Sequence, residues 1–156
     1  MIRGIAIVLA ALVAGCSANG TAPGVAPERS AAGLEQVPLT VRSAGRVHRF
    51  TVEVALSGEE QATGLMNRQS LAPDRGMIFP YTPPQQATFW MKNTLIPLDL
   101  IFIRADGKIA RIEANAVPLS LDPLVSIEPV AAVLEIAGGR VAELGIVPGD
   151  EVDWPR

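Results

Sequence analysis

Residues 98–114, LDLIFIRADGKIARIEA, restrict the fold more than any other stretch: two runs rich in large apolar residues flank Ala105-Asp106-Gly107. Short apolar runs broken by an Asp-Gly turn read as a β-hairpin. The pattern recurs. VPLTVRS and RVHRFTVEVAL flank Ala44-Gly45, and the second run puts Phe50, Val52, Val54 and Leu56 on one face and Thr51, Glu53 and Ala55 on the other. GMIF, QATFWMK and VAAVLEIA read as further strands, PYTPPQ as a rigid loop, and IVPGDEVDW as a turn followed by a last strand. Two helices are expected. Ser57-Gly58-Glu59-Glu60 has capping-box spacing for a helix ending by Asn67 or Arg68, and GGRVAELG forms a second that Gly145 ends. Residues 115–129, with Pro118, Pro123 and Pro129, read as irregular. The expectation is a mainly β fold, a compact β-sandwich or barrel of seven or eight short strands with two short helices.

The N-terminus has a different grammar. MIRGIAIVLAALVAGC places Arg3 before an apolar run and ends on Gly15-Cys16, the charged, apolar and small-residue order of an export signal. The run is shorter than the ~20 residues of a membrane-spanning helix. Leu12 to Cys16 resembles the bacterial lipobox, in which the cysteine is acylated and becomes the mature N-terminus. The alternative is ordinary secretion with cleavage nearby, as after Ala18, and an incidental cysteine. Ser17 is not the Asp that resembles an inner-membrane retention signal. The expected address is therefore the periplasmic face of the envelope, lipid-anchored, at the outer membrane. The expected organisation is a signal peptide with lipobox over 1–16, a flexible Ala/Gly/Pro/Ser tether over 17–36, and one β-rich domain over 37–156.

Composition narrows the chemistry. The chain has 156 residues, 49% of them hydrophobic, enough for one domain with a real core. A net charge of −3 leaves no basic footprint, so nucleic acid is not an expected partner. One His and one Cys give a zinc site or a His-dependent triad almost nothing to work with. No dinucleotide fingerprint, phosphate loop or nucleophile elbow occurs, and no cofactor or metal is expected.

Polar residues concentrate in FWMKNTLIPLDLIF, residues 89–102. Alternation points Asp99 where Ile101 and Ile103 point, so its carboxylate is expected to be at least partly buried and to need partners. The nearest in sequence are Lys92, Asn93, Thr94, the backbone N–H groups of the connection, and Arg68. Glu135 and Glu53 lie in strands with the same problem. Gly138-Gly139 before a helix is a weak anion-site signal.

GLMNRQSL, GMIF, FWMKNT followed by PLD, Leu134-Glu135 and PGDEV together resemble an exported prokaryotic family, domain-of-unknown-function family 192, over residues from about 37 to 156. The resemblance implies a small β-rich fold of jelly-roll-like or barrel type. Its pattern falls on Gly64, Met66, Arg68, Gly76, Met77, Phe79, residues 89–94, Pro97, Asp99, Glu135 and Gly149-Asp150.

Two functions from different classes follow. The first is an envelope lipoprotein, anchored through Cys16, whose non-catalytic domain binds a small molecule or an envelope protein through Arg68, Trp90, Lys92, Asn93, Asp99 and Glu135. The alternative is a hydrolase or lyase acting on an envelope polymer, with Asp99 or Glu135 as acid/base and Lys92 or Arg68 stabilising negative charge. Against both stands Asp99 as a structural brace, whose conversion to Asn costs stability and leaves binding unchanged.

Overall fold

A computed structural model of the protein describes residues 29–155; the signal segment and the tether as far as residue 28 lie outside the described residues. The chain runs β1 (Gln36–Ser43), β2 (Arg46–Val54), α1 (Gly58–Thr63), β3 (Arg75–Gln85), β4 (Thr88–Phe89), β5 (Leu98–Ile103), β6 (Ile109–Ala116), β7 (Leu124–Val125), β8 (Val130–Ala137), α2 (Arg140–Leu144) and β9 (Glu151–Asp153). The fold is mainly β, as expected, with nine strands rather than seven or eight. The ninth strand is β7, inside the stretch expected to be irregular; it pairs with β4 outside the main sheet, and each of the two is only two residues long.

Seven strands form one sheet in the order β6-β5-β8-β3-β2-β1-β9. The sheet curls into a half-barrel whose two edges touch at one end. Ile109 N–H donates to Asp150 at 2.8 Å, Val152 N–H to Gly107 at 2.8 Å, and Lys108 and Glu151 form a β-bridge. This contact pairs one end of the two edge strands, β6 and β9. The one parallel pair, β2 with β3, is joined through α1, because parallel neighbours need a crossover.

Alternation sorts the core into two layers. Val52, Ile78, Ile101, Ile103, Leu134 and Ile136 meet inside the curl, while Met77, Phe79, Leu98, Leu100, Phe102 and Val133 face outward. The outward set is covered by Leu65, Ala87 and Met91 from the connections after α1, β3 and β4. Both faces of β5 are thus dry, and all six of its residues are buried.

Three local expectations change. The α1 capping box forms, with Ser57 Oγ accepting from Glu60 N–H at 3.1 Å and the Glu60 carboxylate accepting from Ser57 N–H at 2.8 Å. The helix nevertheless ends at Thr63, because Gly64 turns to φ 48. PYTPPQ is strand rather than loop: β3 continues to Gln85, with its register shifting between Pro80 and Gln85, where missing proline N–H groups break no regular ladder. QATFWMK keeps only Thr88 and Phe89 as strand, since the chain turns at Lys92-Asn93, with Asn93 at φ 55. Residues 29–35 also carry order ahead of β1: Arg29 bridges Glu35, and Leu34 packs on the outward core layer.

Candidate functional site

The register sets the site. Glu53 of β2 opposes Met77 of β3, Met77 opposes Glu135 of β8, and Glu135 opposes Leu100 of β5. Opposed residues share a face, so two carboxylates point into the outward layer with Met77 between them, about 10 Å apart at ordinary strand spacing.

The two are treated differently. Glu53, 7% exposed, receives a two-pronged pair from Arg68, at 2.6 Å from Nη1 and 2.7 Å from Nη2. This fork matches the planar carboxylate and also holds the Arg68 guanidinium firmly protonated. Glu135, 5% exposed, makes no side-chain hydrogen bond among the described residues. Burial pushes its carboxyl up to about 8, only partly opposed by the charge of Arg68.

Glu135 lies at the floor of an open cleft of about 400 Å³. Gly64 and Met66 form one wall, Phe79 and Tyr81 of β3 another, and Phe89, Trp90 and Thr94 a third. Phe79 and Phe89 meet edge to face with centroids 5.0 Å apart. Tyr81 is half-buried, and burial together with the nearby Glu135 charge pushes its hydroxyl up to about 12. Trp90 is 50% exposed at the rim, and the Lys92 ammonium sits 5.0 Å from its ring centroid. Asn93 ties the rim together: its carbonyl accepts from Asn67 N–H at 2.8 Å, and its side-chain amide lies 3.9 Å from the Met66 sulfur.

A hollow of about 760 Å³ adjoins this cleft at Tyr81 and Gln85 and is otherwise lined largely by Val37, Val54, Leu56, Pro83, Pro84 and Trp154. It is larger, but Glu35 and Tyr81 are its only titratable side chains. The smaller cleft joins apolar walls to a largely buried carboxyl that has no protein hydrogen bond among the described residues, the combination expected of a ligand site.

Asp99 stands apart. It opposes Ile136 and so faces away from Glu135. It is 0% exposed, and its carboxylate accepts from Asn115 N–H at 2.8 Å, Gly139 N–H at 3.0 Å and Val141 N–H at 2.8 Å. None of the partners nearest in sequence (Lys92, Asn93, Thr94, Arg68 or the backbone of the connection) reaches it. The donors come instead from the end of β6 and the start of α2, which only the tertiary fold brings near. This also settles the Gly138-Gly139 signal, for the anion at that turn is the protein's own Asp99. Gly138 is required by close approach: a Cβ there would lie 2.8 Å from the Pro97 Cβ and 2.9 Å from the Asn115 side-chain oxygen.

Of the six residues singled out in the sequence, Trp90 and Glu135 line one cleft, Lys92 and Asn93 stand at its rim, Arg68 lies behind it on Glu53, and Asp99 is elsewhere. Tyr81, Phe79 and Phe89 complete the walls. Tyr81 lies in a segment expected to be loop, and the two phenylalanines are named only within the family pattern.

A family model described as an uncharacterised ACR, DUF192, matches residues 39–154. The chain belongs to that family. It is similar to a protein of unknown function from Novosphingobium aromaticivorans DSM 12444, at 48% identity and a TM-score of 0.80, covering 87% of this chain and 100% of that one. It is also similar to a candidate transcription regulator from Sinorhizobium meliloti 1021, at 43% identity and a TM-score of 0.76, covering 78% of this chain and 95% of that one. No curated protein matches.

Proposed function

We propose that the protein is a non-catalytic binding domain, held at the periplasmic face of the envelope by acylation of Cys16, whose ligand enters the cleft above Glu135. One observation carries the binding reading: a buried glutamate, 5% exposed, whose carboxyl has no side-chain hydrogen bond among the described residues and opens into an aromatic-walled cleft. Buried polar groups are ordinarily matched, and an unmatched one at a cleft floor is matched when the cleft is filled. Trp90, Lys92 and Asn93 make the rim, Arg68 neutralises Glu53 behind it, and Asp99 braces the fold.

The polymer-cleaving alternative has less support. It needs a second chemical group beside Glu135, while Arg68 is engaged by Glu53 and Asp99 by three backbone donors. The test is a melting-temperature and tryptophan-fluorescence screen of the protein against periplasmic sugars, amino acids and peptidoglycan fragments, repeated on Trp90→Phe. A ligand should raise the melting temperature and move the fluorescence of Trp90 while leaving the Trp90→Phe spectrum unchanged. If nothing in such a screen moves either signal, small-ligand binding is refuted. The anchor is tested separately: labelled palmitate should enter the protein and be lost in Cys16→Ser.

A further inference from the structure

The buried acids of this domain follow a rule with one exception. Asp99 has three N–H donors and Glu53 has the Arg68 fork, so each buried carboxylate is met by groups of matching charge or dipole. Glu135 alone has none, and the cleft around it contributes no basic side chain: Arg68 is turned to Glu53, and Lys92 stands outside over Trp90. The missing partner is a group that brings both N–H donors and positive charge. The walls suit such a group, because the faces of aromatic rings attract cations, and the Lys92 ammonium already lies against the outer ring.

We infer that the cleft takes an ammonium group, from a small organic amine or from a lysyl side chain of a peptide, with Glu135 as its counter-ion and Trp90, Tyr81 and Phe89 as its aromatic walls. The inference rests on the binding reading above and specifies its ligand. The groups facing Glu135 are few. The neighbouring strands present Met77 and Leu100, which do not titrate; β3 adds Tyr81, which stays neutral; and the Arg68–Glu53 pair carries no net charge. Glu135 is therefore the group that changes protonation when a cation arrives.

In the empty cleft burial keeps Glu135 protonated up to about pH 8. An ammonium favours the carboxylate, so its uptake below that pH displaces the proton to buffer. Linkage then gives affinity that rises about tenfold per pH unit toward pH 8 and levels off above it. A neutral ligand accepting a hydrogen bond from the Glu135 carboxyl would instead bind with an affinity flat up to about pH 8 and falling above it.

The experiment uses the full chain in a non-ionic detergent, with choline chloride, n-butylamine and a short lysine-containing peptide as probes and N-acetylglucosamine as the uncharged comparison. Titration calorimetry at pH 6, 7 and 8, in two buffers of different ionisation heat, measures affinity and protons released. The expected result is a dissociation constant falling about tenfold per unit, release of one proton per bound cation at pH 6, and loss of binding in Glu135→Gln. That variant keeps the shape of the side chain, and its melting temperature at pH 6 reports whether it folds; Glu135→Asp, keeping the charge, should retain part of the affinity. Binding of choline or butylamine without the peptide identifies a free amine, and the reverse identifies a partner's lysine. Affinity that is flat or falls with pH, or cation binding unaffected by Glu135→Gln, overturns the ammonium assignment. Binding of N-acetylglucosamine alone overturns it and leaves the binding domain standing, whereas silence from every probe, sugar included, counts against both.

Discussion

Asp99→Asn is the sharpest test of how this fold is held together. The wild-type carboxylate accepts two N–H groups on one oxygen and one on the other, with no part of the residue exposed at the surface. The amide of Asn keeps one accepting oxygen and turns an N–H₂ group on at least one of the three donors. Losing a hydrogen bond to a charged group costs about 1.5–3 kcal/mol, and the stranded donor adds about 1–3 kcal/mol. Part of this is offset, since a neutral side chain avoids the several kcal/mol of burying a charge. The expected net loss is about 2–4 kcal/mol, overlapping the upper half of the ~1–3 kcal/mol expected for a generic buried hydrogen-bonded group and extending above it. Against a usual total of about 5–15 kcal/mol, that is a large fraction. Urea unfolding should show a lower midpoint with an unchanged slope. Asp99→Ala should cost more, because all three donors are stranded and a cavity is left. A loss below about 0.5 kcal/mol for Asp99→Asn, within the range of neutral surface changes, would refute the brace.

Other consequences are equally direct. Glu135 is neutral in the fold up to about pH 8 but ionises at 4.5 when unfolded. The folded state therefore holds the extra proton between those values, and stability should fall with rising pH across that window, by up to about 1.4 kcal/mol per unit. Glu135→Gln should remove that slope, and an unchanged stability–pH profile would contradict the burial argument. Arg68→Ala should cost about 3–5 kcal/mol by leaving a buried carboxylate unpaired, a figure to be discounted because the arginine side chain is 26% exposed. Adding Glu53→Gln should recover much of the loss in a double-mutant cycle. Gly138→Ala should be strongly destabilising because its Cβ overlaps Pro97 and the Asn115 side chain, whereas Gly58→Ala, with nothing within 4 Å, should be neutral or stabilising by thermal melting.

The sequence by itself determined the elements whose cause is local. Alternation fixed the faces of β2 and β5 and the burial of Asp99; Ala105-Asp106-Gly107 fixed the β5–β6 hairpin; Ser57 and Glu60 fixed the start of α1. What it misread depended on neighbours. PYTPPQ became strand because β8 lies alongside it, and QATFWMK lost its strand because only β7 is there to pair with part of it. The polar residues of FWMKNTLIPLDLIF divided for the same reason. Lys92 and Asp99 are seven positions apart, yet one reaches the cleft rim and the other is tied to Asn115, Gly139 and Val141. Sequence could say that Asp99, Glu53 and Glu135 needed partners, since desolvation follows from the pattern of their strands. Which of them had one depended on contacts between residues far apart in the chain. Only the folded sheet and its connections gave Asp99 its three donors and Glu53 its arginine, and left the Glu135 carboxyl without a protein partner in a cleft.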